Sequence, residues 1–121
     1  MWNIMPQILK NKTLQAALNA ISLYGADGAV APAADVVILN KATAGAYTLA
    51  APGASLNGHK MRITSDSAAA HVVTATGLIH DGVTGGAKNT ATFAAFHGAS
   101  IELLAFGGKW YVLNKNVVTV A

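Results

Sequence analysis

The chain contains no cysteine, which excludes disulfides and every thiolate ligand or nucleophile and leaves stability to packing and association. Charge is nearly as scarce. Asp, Glu, Lys and Arg make up 11% of the 121 residues, against about 25% in an ordinary soluble domain. Proline occurs three times, aromatic residues amount to 7%, and no run reaches the roughly 20 uninterrupted apolar residues of a membrane span. What is abundant is small and apolar: the hydrophobic fraction is 53%, which excludes disorder over most of the chain. The length leaves room for one domain.

The hydrophobic count is inflated by 25 alanines, and 12 glycines and 10 threonines accompany them. With so few charges the surface must be covered by Ala, Gly, Thr, Ser and Asn, as in a molecule that buries part of itself against neighbours. An oligomer or lattice component is expected; the alternative is a monomer whose scattered surface alanines have no role. The net charge of +3 reflects a shortage of acids. Lys10, Lys12, Lys41, Lys60, Arg62, Lys88, Lys109 and Lys115 are dispersed, whereas a nucleic-acid footprint is clustered. Only Lys60 and Arg62 share a strand face, without interleaved aromatics, so neither nucleic acid nor membrane is expected as a partner.

Residues 1–24 differ from the rest. Thr13 can cap a short helix in which Leu14, Ala17, Leu18 and Ile21 fall at i, i+3, i+4 and i+7, with Gly25 as terminator. About three turns are marginal alone, so the segment either packs on its own domain or docks on a partner or another copy. Lys10 and Lys12 before an apolar run, with Ala29-Val30-Ala31 after it, have the outline of a signal peptide. Gln15 and Asn19 interrupt that run, and Pro32 disfavours cleavage. Residues 26–34 show no period and read as a linker, so residues 1–34 form an arm and linker and residues 35–121 the main module.

From Asp35 onward, strand-like runs alternate with turn signals: Val36–Lys41, Ala46–Ala50, His59–Ser65, His71–Thr76, Thr90–Ala95, Ser100–Phe106, Lys109–Asn114 and Val117–Val120. The pattern predicts an all-β fold, a small sandwich or barrel of about eight short antiparallel strands. Gly107-Gly108 suits a two-residue hairpin turn. Alternation places Ile101, Leu103 and Ala105 on one face and Glu102, Leu104 and Phe106 on the other; Met61 and Ile63 point inward, Lys60, Arg62 and Thr64 outward. Trp110 and Tyr111 take opposite faces, and Thr76–Asn89, with four glycines, reads as a loop.

Chemistry-bearing residues are sparse. His59, His71, His80 and His97 stand at no ligand spacing and are expected at strand ends or on the surface, unless symmetry gathers copies around an ion. A Ser–His–Asp set would have to use Asp66, Ser67 and His71, or Ser100 with His97, and neither serine lies in a Gly-x-Ser-x-Gly elbow. The acids Asp27, Asp35, Asp66, Asp81 and Glu102 are isolated, and Gly85-Gly86-Ala87-Lys88 lacks phosphate-loop spacing. No catalytic residue, cofactor or metal ligand is assigned. Sugar stacking on Tyr111, with the Thr76–Asn89 loop, is one binding alternative.

The succession Tyr47-Thr48-Leu49, Leu56-Asn57-Gly58-His59-Lys60-Met61-Arg62-Ile63-Thr64-Ser65, Ala70-His71-Val72-Val73-Thr74, Ala91-Thr92-Phe93, Gly98-Ala99-Ser100-Ile101-Glu102-Leu103 and Gly108-Lys109-Trp110-Tyr111-Val112 resembles a small β module of tailed-bacteriophage virion proteins. Those are capsid decoration or head-fibre proteins, and sometimes fibre domains. The resemblance covers residues 35–121 and implies a homotrimer on the outer capsid surface of the virion, bound to the major capsid protein through an N-terminal arm. On that reading Trp2, Ile4, Ile8, Leu9, Leu14, Leu18 and Ile21 make capsid or subunit contacts. The alternative is a tail-fibre or receptor-binding module that contacts a glycan or host surface.

Overall fold

The computed structural model describes residues 21–121. Among them one 3-10 turn, Ala54–Leu56, interrupts a chain otherwise built from strands. These are β1 (Ile21–Tyr24), β2 (Gly28–Val30), β3 (Val36–Leu39), β4 (Ala46–Leu49), β5 (Lys60–Ser65), β6 (Val72–His80), β7 (Lys88–Phe93), β8 (Ser100–Phe106), β9 (Lys109–Asn116) and β10 (Val118–Val120). Each of the eight runs read from residue 36 onward overlaps one of these strands, so the all-β class holds.

Strand direction differs from the expectation. The first six strands form a coil: β1, β3 and β5 pair in parallel on one wall, and β2, β4 and β6 pair in parallel on the other. Parallel neighbours need a crossover of a dozen or more residues. Here a strand of the opposite wall supplies it, because each link carries the chain across the core instead of turning it back. Alternation of side chains fixes which face is buried but is silent about direction, so the wholly antiparallel expectation fails. Of the remaining ladders, β5 with β8, β8 with β9, and β7 with β6 and β10 are antiparallel, and β6 with β9 is parallel.

β9 joins the walls by pairing with β8 along its length and with the end of β6 at Ile79↔Trp110 and His80↔Tyr111. The path β1-β3-β5-β8-β9-β6-β4-β2 results, with β7 and β10 beside it. Its two end strands are consecutive in the chain. Tyr24 binds them together: its carbonyl accepts the Tyr47 hydroxyl proton at 2.9 Å, and its own hydroxyl oxygen accepts the Ala31 N–H at 3.0 Å. The sheet is thereby a nearly closed barrel.

Three boundaries move. Residues 26–34 contain β2, whose Val30 is buried against β4, so the segment read as a linker is part of the barrel. Ile21 lies in strand β1 rather than on a helix, because register with Val36 in β3 outweighs the local apolar spacing. The supposed loop 76–89 shrinks to residues 81–87, since β6 runs on to His80. A register shift between Thr74 and Ile79, with Gly77 at φ 68°, had broken the alternation there.

The core fills as alternation requires. Val37, Leu39, Met61, Ile63, Ile101, Leu103 and Ala105 meet Tyr47, Leu49, Val73, Ile79, Ala91 and Phe93, all buried. Trp110 is wholly buried and donates its indole N–H to the Ala50 carbonyl at 3.0 Å. The Gly107-Gly108 turn joins Phe106 to Lys109 with φ of 59° and 75°, the left-handed pair that a two-residue hairpin requires.

Candidate functional site

Two places bring chemistry-bearing side chains together: a buried polar centre around His71 and the outer face of the wall β1-β3-β5-β8-β9. The first is built by residues 66–71, leading into β6, and residues 40–45, leading into β4. His71 stands at the strand end expected of it, directly before β6, but is fully buried and not on the surface. Its Nδ1 accepts the Gly45 N–H at 2.9 Å, and its Nε2 stands 2.7 Å from Ser67 Oγ. Tyr47 packs edge-on against the ring at 5.8 Å, and Tyr24 packs edge-on against Tyr47 at 6.4 Å. Gly45 has to be glycine, since a Cβ there would fall 2.5 Å from the Tyr47 ring. Burial, aided by the Lys41 charge, holds the His71 pKa below the ordinary imidazole value; burial pushes the Tyr47 phenol up.

Ser67 and His71 have the separation of a nucleophile and its base, but the proton is on the wrong atom. A backbone donor at Nδ1 fixes the tautomer with hydrogen on Nε2, so the ring donates to Ser67 Oγ. General-base catalysis needs the reverse, with Nδ1–H given to a carboxylate and Nε2 free to accept. Asp66 is exposed, and among the described residues no carboxylate reaches the ring. The cluster is a structural device that satisfies the end of the β3–β4 link. Sequence reasoning missed it because the Gly45 amide lies 26 residues away.

The other histidines stand apart. His59 Nε2 donates to the Ala34 carbonyl at 2.8 Å with Asp35 at 3.6 Å, and His97 lies in the loop before β8. Asp81 accepts the Val83 N–H, and Lys88 closes the turn 84–88 through the Thr84 carbonyl. Among the described residues no three His, Asp or Glu gather as a metal set would require. Lys41 donates to Asp27 at 2.9 Å, a bond that holds the Asp27 carboxyl below the usual range.

On the outer wall, Lys60 and Arg62 do point to solvent, and Arg62 is paired: its guanidinium donates to Glu102 Oε2 at 2.8 Å. Tyr111 faces outward and Trp110 inward, as alternation requires, and the Tyr111 ring lies against His80 with centroids 5.1 Å apart. At the edge of this wall, Ile21 and Leu23 of β1 are 60% and 65% exposed beside half-buried Val36 and Ile38 of β3. Of the proposed contact residues only Ile21 is described; Trp2, Ile4, Ile8, Leu9, Leu14 and Leu18 lie outside the described residues. No described helix is long and apolar enough to cross a membrane. Comparison of the chain with protein-family models, with curated proteins and with solved structures finds no match.

Proposed function

We propose that the protein is a structural component of a tailed-bacteriophage virion, a capsid decoration or head-fibre protein that associates as a homotrimer and holds the outer head surface through residues 1–24. The observation that carries this reading is the bare aliphatic edge of the barrel. Natural edge strands are guarded by charge, proline or a bulge. β1, Ile-Ser-Leu-Tyr, has none of these, and it presents Ile21 and Leu23 to solvent at the point where residues 1–20 join. Covering two such side chains contributes about 1.5–3 kcal/mol each, so the edge is one part of a contact that the apolar residues of the preceding segment would complete. The low charge of the whole chain and the resemblance of residues 35–121 to phage virion modules support the same reading. Cement action follows by mass action, since a subunit bound across several capsid subunits favours the assembled shell.

Light scattering on the intact chain after size exclusion tests the association. A mass near three chains, falling to one chain in Leu23→Lys with an unchanged circular dichroism spectrum, is the expected result. A monomeric parent protein refutes the trimer. Because β1 belongs to the barrel, a deletion probing attachment has to stop at residue 20. That truncation should fold and fail to decorate shells assembled without the protein, and full occupancy by the truncated chain would overturn the assignment of the arm.

A further inference from the structure

The outer face of β5, β8 and β9 carries a polar array that the barrel does not need for its own packing. Register sets Arg62, Glu102 and Asn114 side by side in one row and Thr64, Ser100 and Asn116 in the next. Arg62 engages one oxygen of Glu102, which leaves the second carboxylate oxygen and further guanidinium N–H groups open. Lys115 is tied down by its bond to the Val118 carbonyl at 3.3 Å. A register shift between Glu102 and Leu103 distorts the ladder beside this row. The face is hollowed into an open groove of about 220 Å³ lined by Arg62, Ser100, Glu102, Asn114, Lys115 and Asn116, with Ile101 beneath. The next row along β5, β8 and β9, about 7 Å away, holds Leu104 and Tyr111 together with exposed Lys60. The Tyr111 ring is 37% exposed and braced by His80.

We propose that this face binds a neutral saccharide, with one sugar on Tyr111 and the hydroxyls of its neighbour in the groove. The ligand class follows from the mixture of groups. An anion in the groove would meet the Glu102 carboxylate, a cation would meet the Arg62 guanidinium and the Lys115 ammonium with Lys60 in the next row, and an apolar ligand would strip water from all of them without replacing its bonds. Sugar hydroxyls donate and accept alike. They match a neutralised Arg–Glu pair flanked by carboxamides and a serine hydroxyl, and the C–H face of a pyranose suits an exposed tyrosine ring. A shallow, open groove of this kind binds through water and weakly. The site contains no residue of the edge strand β1, so it stands or falls separately from the attachment reading.

The test is a proton–nitrogen NMR titration of the full chain with a panel of neutral tetrasaccharides built from glucose, galactose, mannose and N-acetylglucosamine, with a heparin tetrasaccharide as the charged control. At least one neutral member should shift amides of β5, β8 and β9 saturably, with millimolar affinity. Tyr111→Ala and Asn114→Ala should each weaken that binding roughly tenfold. Glu102→Gln, which keeps the shape, should weaken it less than Glu102→Ala. All these side chains are solvent-facing, and an unperturbed spectrum of each free variant establishes its fold. The proposal is overturned if no panel member shifts these amides, if the shifts centre on residues 81–87, if the heparin fragment binds as well as the neutral sugars, or if the variants bind like the parent.

Discussion

Acid should weaken this barrel through one buried ring, and the wiring of that ring says how. In the folded chain His71 is neutral, with Nδ1 accepting from the Gly45 amide and Nε2–H donating to Ser67. Protonation would put a second hydrogen on Nδ1, opposite an N–H that has no other described acceptor, inside a site closed to water. Burial first, and the Lys41 charge second, hold the pKa of this group down. In the unfolded chain the same ring titrates near about 6.5. Below that pH, and down to the depressed folded value, the unfolded state carries one proton more than the folded state. Stability is therefore fully present above about pH 6.5 and falls with acid by at most about 1.4 kcal/mol per pH unit. Between pH 6.5 and 5 the largest loss available is about 2 kcal/mol, a sizeable part of the 5–15 kcal/mol of a typical domain.

Carboxylates lose their partners in acid too, Asp27 among them, so the measurement has to be a difference. His71→Asn offers an amide oxygen near the position of Nδ1 and cannot titrate. It should cost about 2–3 kcal/mol at pH 7.5, through the lost ring volume and the unpartnered Ser67 hydroxyl. Guanidinium unfolding curves for both proteins at half-unit steps from pH 7.5 to 4.5 then give the gap between them. That gap should be constant above pH 6.5 and narrow steadily below it, with m unchanged. Parallel curves down to pH 5 would refute the assignment of a neutral, donor-blocked His71.

Three further substitutions probe the same packing. Trp110→Ala removes the largest wholly buried side chain and strips the Ala50 carbonyl of its donor, and should destabilise by about 3–5 kcal/mol in denaturant titrations. Gly45→Ala drives a Cβ into the Tyr47 ring, which its bond to Tyr24 and its full burial keep from moving; about 2–3 kcal/mol is expected in thermal unfolding, and an unchanged melting temperature would show that the ring yields. Val117 holds φ at 50°, a left-handed conformation hostile to a β-branched residue, while its side chain is 56% exposed. Val117→Asn should therefore stabilise by about 1 kcal/mol, read as a rise in melting temperature.

What could be read from the chain alone was whatever depends on neighbours two residues apart. The inward Met61 and Ile63, the Ile101, Leu103 and Ala105 face, the split of Trp110 from Tyr111 and the Gly107-Gly108 turn are all period-two or nearest-neighbour properties, and all stand where expected. Illegible were the properties set by long-range register. β1 and β2 are too short to show a period, and they are strands because β3 and β4 offer them an edge. Parallel direction belongs to the route of the links. The Arg62–Glu102 pair joins residues 40 apart, and His71 is buried only because Gly45 and Ser67 arrive to satisfy both its nitrogens. The sequence therefore held the faces of the candidate sites, while their partners come from topology.

Strand direction also constrains how the proposed attachment and the proposed saccharide face can coexist. β1 begins at the end of the barrel that carries the Gly107-Gly108 turn and residues 81–87, because β1, β3 and β5 run parallel and β8 returns from Phe106. Phe96, 69% exposed, and Val117 sit at the other end, beside the links 40–45 and 66–71. A molecule held through residues 1–20 would present Phe96 and Val117 away from its support. The row of Arg62, Glu102 and Asn114 would stand on the flank, two strands from the aliphatic edge. A partner covering Ile21 and Leu23 meets Val36 and Ile38 before it meets Arg62, so association and sugar binding should not compete. Leu23→Lys should abolish the first and leave the second intact, and Tyr111→Ala should do the opposite. A single substitution that removed both would place the two functions on one surface and refute this division of the wall.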